Sequence, residues 1–244
     1  MNHPILWVLC AMALGFSTGF LHAETAESLR YSVEDLQGHA SLTKADGASE
    51  DVKEGTQIGP GEQIQLEPDA QAVLMLNEET TVQLGPGTRL NVSQLETKPQ
   101  NGFVSKLRLL GGRILLQVQK LGESRSTFEV EGGGVVCGVR GTLFEMELQG
   151  EDLEARTQEG EVVLTSNGKK ESIKAGRAFA YRRGLLRMRR RLDRVETDRF
   201  IKWETFKPSL REKRLKRLHG FKNRRKSETR PLRHRPKATS WVPS

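Results

Sequence analysis

Between Gly38 and Arg183 apolar and polar residues alternate with a period of two over most of the chain. QIQLE, AVLML, TVQLG, RLNVS, KLRLL, ILLQVQ, TFEVE, LFEMEL and EVVLTS all alternate, bounded by Gly, Pro, Asn or Asp. Such alternation sets one face of a strand in a core and the other in water. It predicts an all-β domain over 38–183. Ile58-Gly59-Pro60-Gly61, Leu84-Gly85-Pro86-Gly87 and Leu110-Gly111-Gly112-Arg113 recur every 26 residues, and a two-sided strand leaves each one. Val136-Cys137-Gly138 is a degenerate fourth copy. A fixed period with one strand–turn–strand unit per copy suggests a β-solenoid or roll. A twisted sandwich of evenly spaced hairpins fits the alternation as well.

The period changes after Arg183. Leu185, Met188, Leu192 and Val195 fall at three- and four-residue steps, which predicts a basic amphipathic helical extension over 184–221. Phe200, Trp203 and Phe206 continue the spacing on a shifted stripe. Pro208 is expected to end this helix. Ser209 with Glu212 then opens a second short helix as a capping box, and Gly220 closes it. Residues 222–244, almost without apolar side chains, are expected to be disordered. Residues 24–37 read as a lead-in.

Pro4 to Phe16 is an apolar run too short to span a bilayer comfortably. Small and polar residues follow, and Ala23 suits a cleavage position, so 1–23 reads as a signal peptide and the protein as periplasmic or secreted. The opening MNH lacks the usual Lys or Arg. Cleavage before Glu24 would leave Cys137 as the one cysteine, unable to form an internal disulfide.

Charge divides sharply. Tyr181 to Ser244 holds 23 Lys and Arg against 6 Asp and Glu, while the rest holds 16 against 25. The basic end will attract polyanions at low salt. Arg187, Arg189, Arg190, Arg191, Arg194, Arg224, Arg225 and Lys226, with Trp203, are the candidate contacts to an anionic membrane or wall polymer. Packing of the helix on the acidic body is the alternative, and the sequence leaves both open. A nucleic-acid-binding protein with an uncleaved N-terminus is a second functional reading.

Catalytic chemistry finds little support. GGGVVCGVRGTLFEM, Gly132 to Met146, lacks the third glycine of a dinucleotide loop and the lysine of a P-loop, and an alternating strand follows it. Cys137 follows two valines, as a core residue would, and only Arg140 is near enough to lower its pKa. His39, His219 and His234 carry no catalytic motif. Glu145 with Glu147, and Glu159 with Glu161, sit at i, i+2 opposite the apolar positions, as on a solvated strand face. No enzyme, cofactor, metal site or small-molecule substrate is implied.

Three stretches together resemble the FecR-type periplasmic domain: GHASLTKADG with the following run to RLNV, KLRLLGGRILLQVQ, and STFEVEGGGVVCGVRGTLFEMEL with TQEGEVVLTS. The family signature falls on Phe128, Val130, Gly138, Gly141, Thr142, Phe144, Gly160 and Val162. The resemblance implies an all-β, non-enzymatic signalling domain acting through protein contacts in the envelope. Its best-known members place an anti-sigma segment before a membrane helix. Here three residues precede the apolar run. The expectation is therefore an exported FecR-like interaction module with its own basic tail.

Overall fold

A computed structural model describes residues 29–76, 80–98, 102–118 and 126–228, without the side chains of 207, 208, 211 and 218–228. The expected signal peptide and residues 229–244 lie outside it. The first strands are β1 (Tyr31–Gln37), β2 (Ala40–Thr43), β3 (Ser49–Asp51), β4 (Gln57–Ile58), β5 (Gln63–Leu66) and β6 (Gln71–Met75). Next come β7 (Thr80–Leu84), β8 (Arg89–Lys98), β9 (Gly102–Val118), β10 (Thr127–Gly132), β11 (Val135–Val139) and β12 (Thr142–Gln149). β13 (Asp152–Glu159), β14 (Glu161–Ser166), β15 (Lys169–Lys174), β16 (Arg177–Arg182), β17 (Leu185–Arg191) and helix α1 (Arg194–Glu228) complete the chain.

The strands form one open sheet folded over on itself. Its first leaf runs β4-β1-β6-β7-β9-β12-β13-β16-β17. The second runs β3-β2-β5-β8-β9-β10-β11-β14-β15. Strand β9 belongs to both: Gly102–Gly111 pairs in the second leaf and Gly112–Val118 in the first. All pairings are antiparallel except β9 with β10. The core between the leaves holds the inward residues of the alternating strands, among them Leu42, Ile64, Leu90, Leu116, Val130 and Phe144.

The chain crosses between leaves at corners, most of them marked by a glycine at positive φ: Gly38, Gly55, Gly61, Gly87, Gly112, Gly141, Gly160 and Gly176. From β5 to β6 it crosses through Glu67–Ala70 without a glycine. Gly61, Gly87 and Gly112 belong to the three repeated motifs, but the other corners fall at other intervals. The 26-residue spacing is therefore local, and the folded-over sheet is the form adopted. At Gly112 (φ +90°) a β-carbon would lie 2.5 Å from Thr88 Cα, so no side chain fits.

Several boundaries differ from the sequence reading. The lead-in contains β1, so the β-body starts at Tyr31. Leu185–Arg191 is a strand, although its spacing predicts a helix; pairing with the β16 edge overrides that periodicity. Leu186 alone of its apolar residues packs on the core, while Leu185 and Met188 are 53% and 47% exposed. The helix is single and runs through Pro208 and Gly220. An interior proline costs about 3 kcal/mol. Burial of Trp203 before it and Leu210 after it offsets that cost. Residues 222–228, expected to be disordered, are helical.

Candidate functional site: a strapped face and a basic edge

α1 lies across the outer face of the first leaf, whose outward residues are only partly polar. Val73, Met75, Leu115 and Leu143 point outward and are buried beneath Phe200, Trp203 and Leu210. Trp203, 2% exposed, donates its indole N–H to Gln117 Oε1 at 3.3 Å. The helix begins with a capping box that the sequence reading missed. Glu196 N–H donates to Asp193 Oδ1 at 2.8 Å, and Asp193 N–H donates to Glu196 Oε2 at 2.9 Å. An Asp three residues before a Glu, at the head of an apolar stripe, was its signal. The Ser209–Glu212 box has no place in a continuous helix; Ser209 Oγ donates to the Phe206 carbonyl at 2.7 Å.

Charge is organised at both ends of the strap. At the near end the Arg156 guanidinium is buried and donates to Glu145 (2.9 Å), Glu147 (2.9 Å), Glu154 (2.5 Å) and Glu196 (2.5 Å). Arg199 donates to both oxygens of Glu145, at 2.7 and 3.1 Å, and Arg190 donates to Glu196 and Glu154. The Arg190 guanidinium holds the Glu196 carboxyl down to about 2. Burial works against ionisation of Glu147, but Arg156 beside it outweighs this and keeps its carboxyl low. At the far end Arg217 donates to Glu34 at 3.0 Å and to Glu54 at 3.2 Å, and Lys213 pairs with Asp35. Glu145, expected on a solvated face, is 1% exposed. The residues that cover it are about 50 positions later in the chain, so no local pattern marks its burial.

The candidate contacts therefore separate. Trp203 is buried and Arg190 is held between Glu154 and Glu196, so neither is available to an anionic surface. Arg189 pairs with Glu171 at 2.6 Å and stacks 5.4 Å above the Phe179 ring. Arg187, Arg191 and Arg194 are exposed, with no ion partner among the described residues. The side chains of Arg224, Arg225 and Lys226 are not described. The signature residues are structural: Phe128, Val130, Phe144 and Val162 fill the core. Thr142 is buried behind the Gly141 corner, and Gly138 faces the Val163 carbonyl across β14. A β-carbon on Gly160 would lie 2.4 Å from the Gly141 carbonyl, so these two corners stack backbone on backbone. Cys137 points into the core, 4 Å or less from another soft atom: its Sγ lies 3.9 Å from Met146 Sδ. Burial pushes its thiol up to about 12, the reverse of what a nucleophile needs. A cleft of about 450 Å³ opens beside α1, with Gln37, Gln71, Gln83, Arg113, Lys202 and Phe206 in its lining.

The described residues form a folded-over all-β body with a helix strapped across one leaf. Residues 62–163, in the central strands of both leaves, match the family model described as FecR protein. Two solved structures of a "putative anti-sigma factor" from Parabacteroides distasonis ATCC 8503 are similar. One shows 15% identity over 57% of this chain and 63% of that one (TM-score 0.47), the other 14% over 57% and 64% (TM-score 0.46). The chain thus spans under two thirds of those proteins. No curated protein matches.

Proposed function

We propose that this protein is exported to the cell envelope and works there as a non-enzymatic FecR-type module that signals through protein contacts. The FecR match over 62–163 carries the reading. The strap supports it, because a helix whose Phe200, Trp203 and Leu210 are buried against the body is a clasp rather than a membrane anchor. The same packing weighs against nucleic acid as the target, since Arg199, Arg214 and Arg217 are engaged with body carboxylates. Contact with anionic lipid or wall polymer falls to the exposed arginines and to 229–244, where four Lys and Arg stand without an acidic residue.

The test is isolation from the native host. The chain should begin at or near Glu24, fractionate with the envelope, and crosslink to a discrete envelope protein. A full-length cytoplasmic chain, or an envelope chain with no protein crosslink, would overturn the reading.

A further inference from the structure

β17 is the last strand of the first leaf, and among the described residues it pairs only with β16. The phase of that pairing shows what its open side offers. Leu192 N–H donates to the Gly176 carbonyl at 3.0 Å. In an antiparallel ladder the bonded pairs alternate, so Arg190 with Ala178 and Met188 with Ala180 are the bonded pairs. Arg189 and Arg191 therefore turn their backbone groups away from β16. The Arg191 carbonyl accepts the Arg190 guanidinium at 3.2 Å. The N–H and C=O of Arg189 and the N–H of Arg191 are left facing outward. Arg187 and Arg191 stand exposed beside them, and exposed Leu185 and Met188 flank the row.

We propose that the β17 edge is a docking strand for an extended, acidic segment of a partner protein, which joins the first leaf as an added strand. This rests on the reading of the protein as an interaction module. The backbone groups of Arg189 and Arg191 supply hydrogen bonds, and alternate side chains supply selection. Arg187 and Arg191 ask for carboxylates, and Met188 asks for an apolar neighbour between them. Basic side chains also discourage edge-to-edge pairing between like copies. The charge that repels a second β17 is the charge that admits an acidic strand.

The probe is a labelled seven-residue peptide alternating glutamate and valine, titrated by fluorescence polarisation into the chain from Glu24. Saturable binding is expected, with amides of residues 189 and 191 gaining protection from exchange. Arg187→Glu with Arg191→Glu should weaken binding at least tenfold. Arg191→Pro removes one outward donor where an edge strand tolerates proline, and should weaken it about fivefold with Tm unchanged. A peptide of the same composition with its glutamates in one block should bind much less. Equal binding of the two peptides, or binding to anionic vesicles with none to the alternating peptide, would overturn the proposal. A protein crosslink in the envelope that survives loss of peptide binding would overturn this site alone and leave the module reading standing.

Discussion

Arg156 shows how placement decides the worth of a charge. Its guanidinium is buried among four carboxylates, so removing it leaves the buried Glu145 and Glu196 short of one cation each, with Arg199 and Arg190 as their main remaining partners. Breaking a buried ionic group typically costs about 3–5 kcal/mol. Arg108 pairs with Glu131 at 3.0 Å in open solvent, where such a pair contributes about 0–1 kcal/mol. Arg156→Met should therefore lower stability by several kcal/mol in denaturant unfolding, and Arg108→Ala should leave it nearly unchanged. Cys137 makes a second contrast. Cys137→Ala should cost on the order of 1 kcal/mol, and the folded wild type should resist thiol reagents until it unfolds. Fast labelling of the native protein would refute its core role. Legibility at this scale followed locality. The inward positions of Val130, Phe144 and Val162 were written in their own strands, as was the core placement of Cys137. The burial of Glu145 was not, because α1 arrives from far along the chain.

For α1, the apolar contacts outweigh the ion pairs at its far end. Burying Phe200, Trp203 and Leu210 stabilises by about 1.5–3 kcal/mol each. Of the far-end pairs, Lys213 with Asp35 and Arg217 with Glu54 each have one partner half open to water and contribute less, while Arg217 with Glu34 is largely covered. They fix where the helix lies. Trp203→Ala should cost about 3 kcal/mol. Ending the chain at Leu192 should do more, because it uncovers Val73, Met75, Leu115 and Leu143 and leaves Glu34 and Glu145 without their helix partners. Dye binding to exposed apolar surface and loss of a sharp melting transition would mark that state; a truncated body that melts like the full chain would show the strap to be dispensable. The alternating strands β5 to β10, β12 and β14 were readable because the core-facing residues of each recur at every second position. β1 was hidden by its acidic outward residues, Glu34 and Asp35, which make sense only beneath Arg217 and Lys213. β17 was misread because apolar residues at three- and four-residue steps imitate a helix when the neighbouring strand is unknown.

The whole molecule carries an acid sensitivity with a defined sign. Glu196, at the head of the strap, ionises near 2 in the folded state, against about 4.3 for an ordinary glutamate. A carboxyl depressed by folding stabilises the native state above its unfolded pKa, and that contribution is lost as pH falls toward the folded value. Melting temperature should therefore drop between about pH 4.5 and pH 2, and Glu196→Gln should flatten part of that drop while lowering Tm at neutral pH. A variant with the wild-type acid profile would show that Glu196 does not couple the strap to pH.

The strap also gives the molecule a mechanical direction. Its far end holds β1, the first strand, and its near end adjoins β17, the last, so it is a tie laid across the first leaf from one edge region toward the other. Tension on the C-terminus would meet the contacts in series: Arg217 with Glu34, then Lys213 with Asp35, then Leu210 and Trp203, and last the Arg156 cluster. Each step would be small against the load needed to shear the leaf itself. A pull on the tail would thus yield a graded peel before the body gave way, with the most strongly buried charges as its final latch.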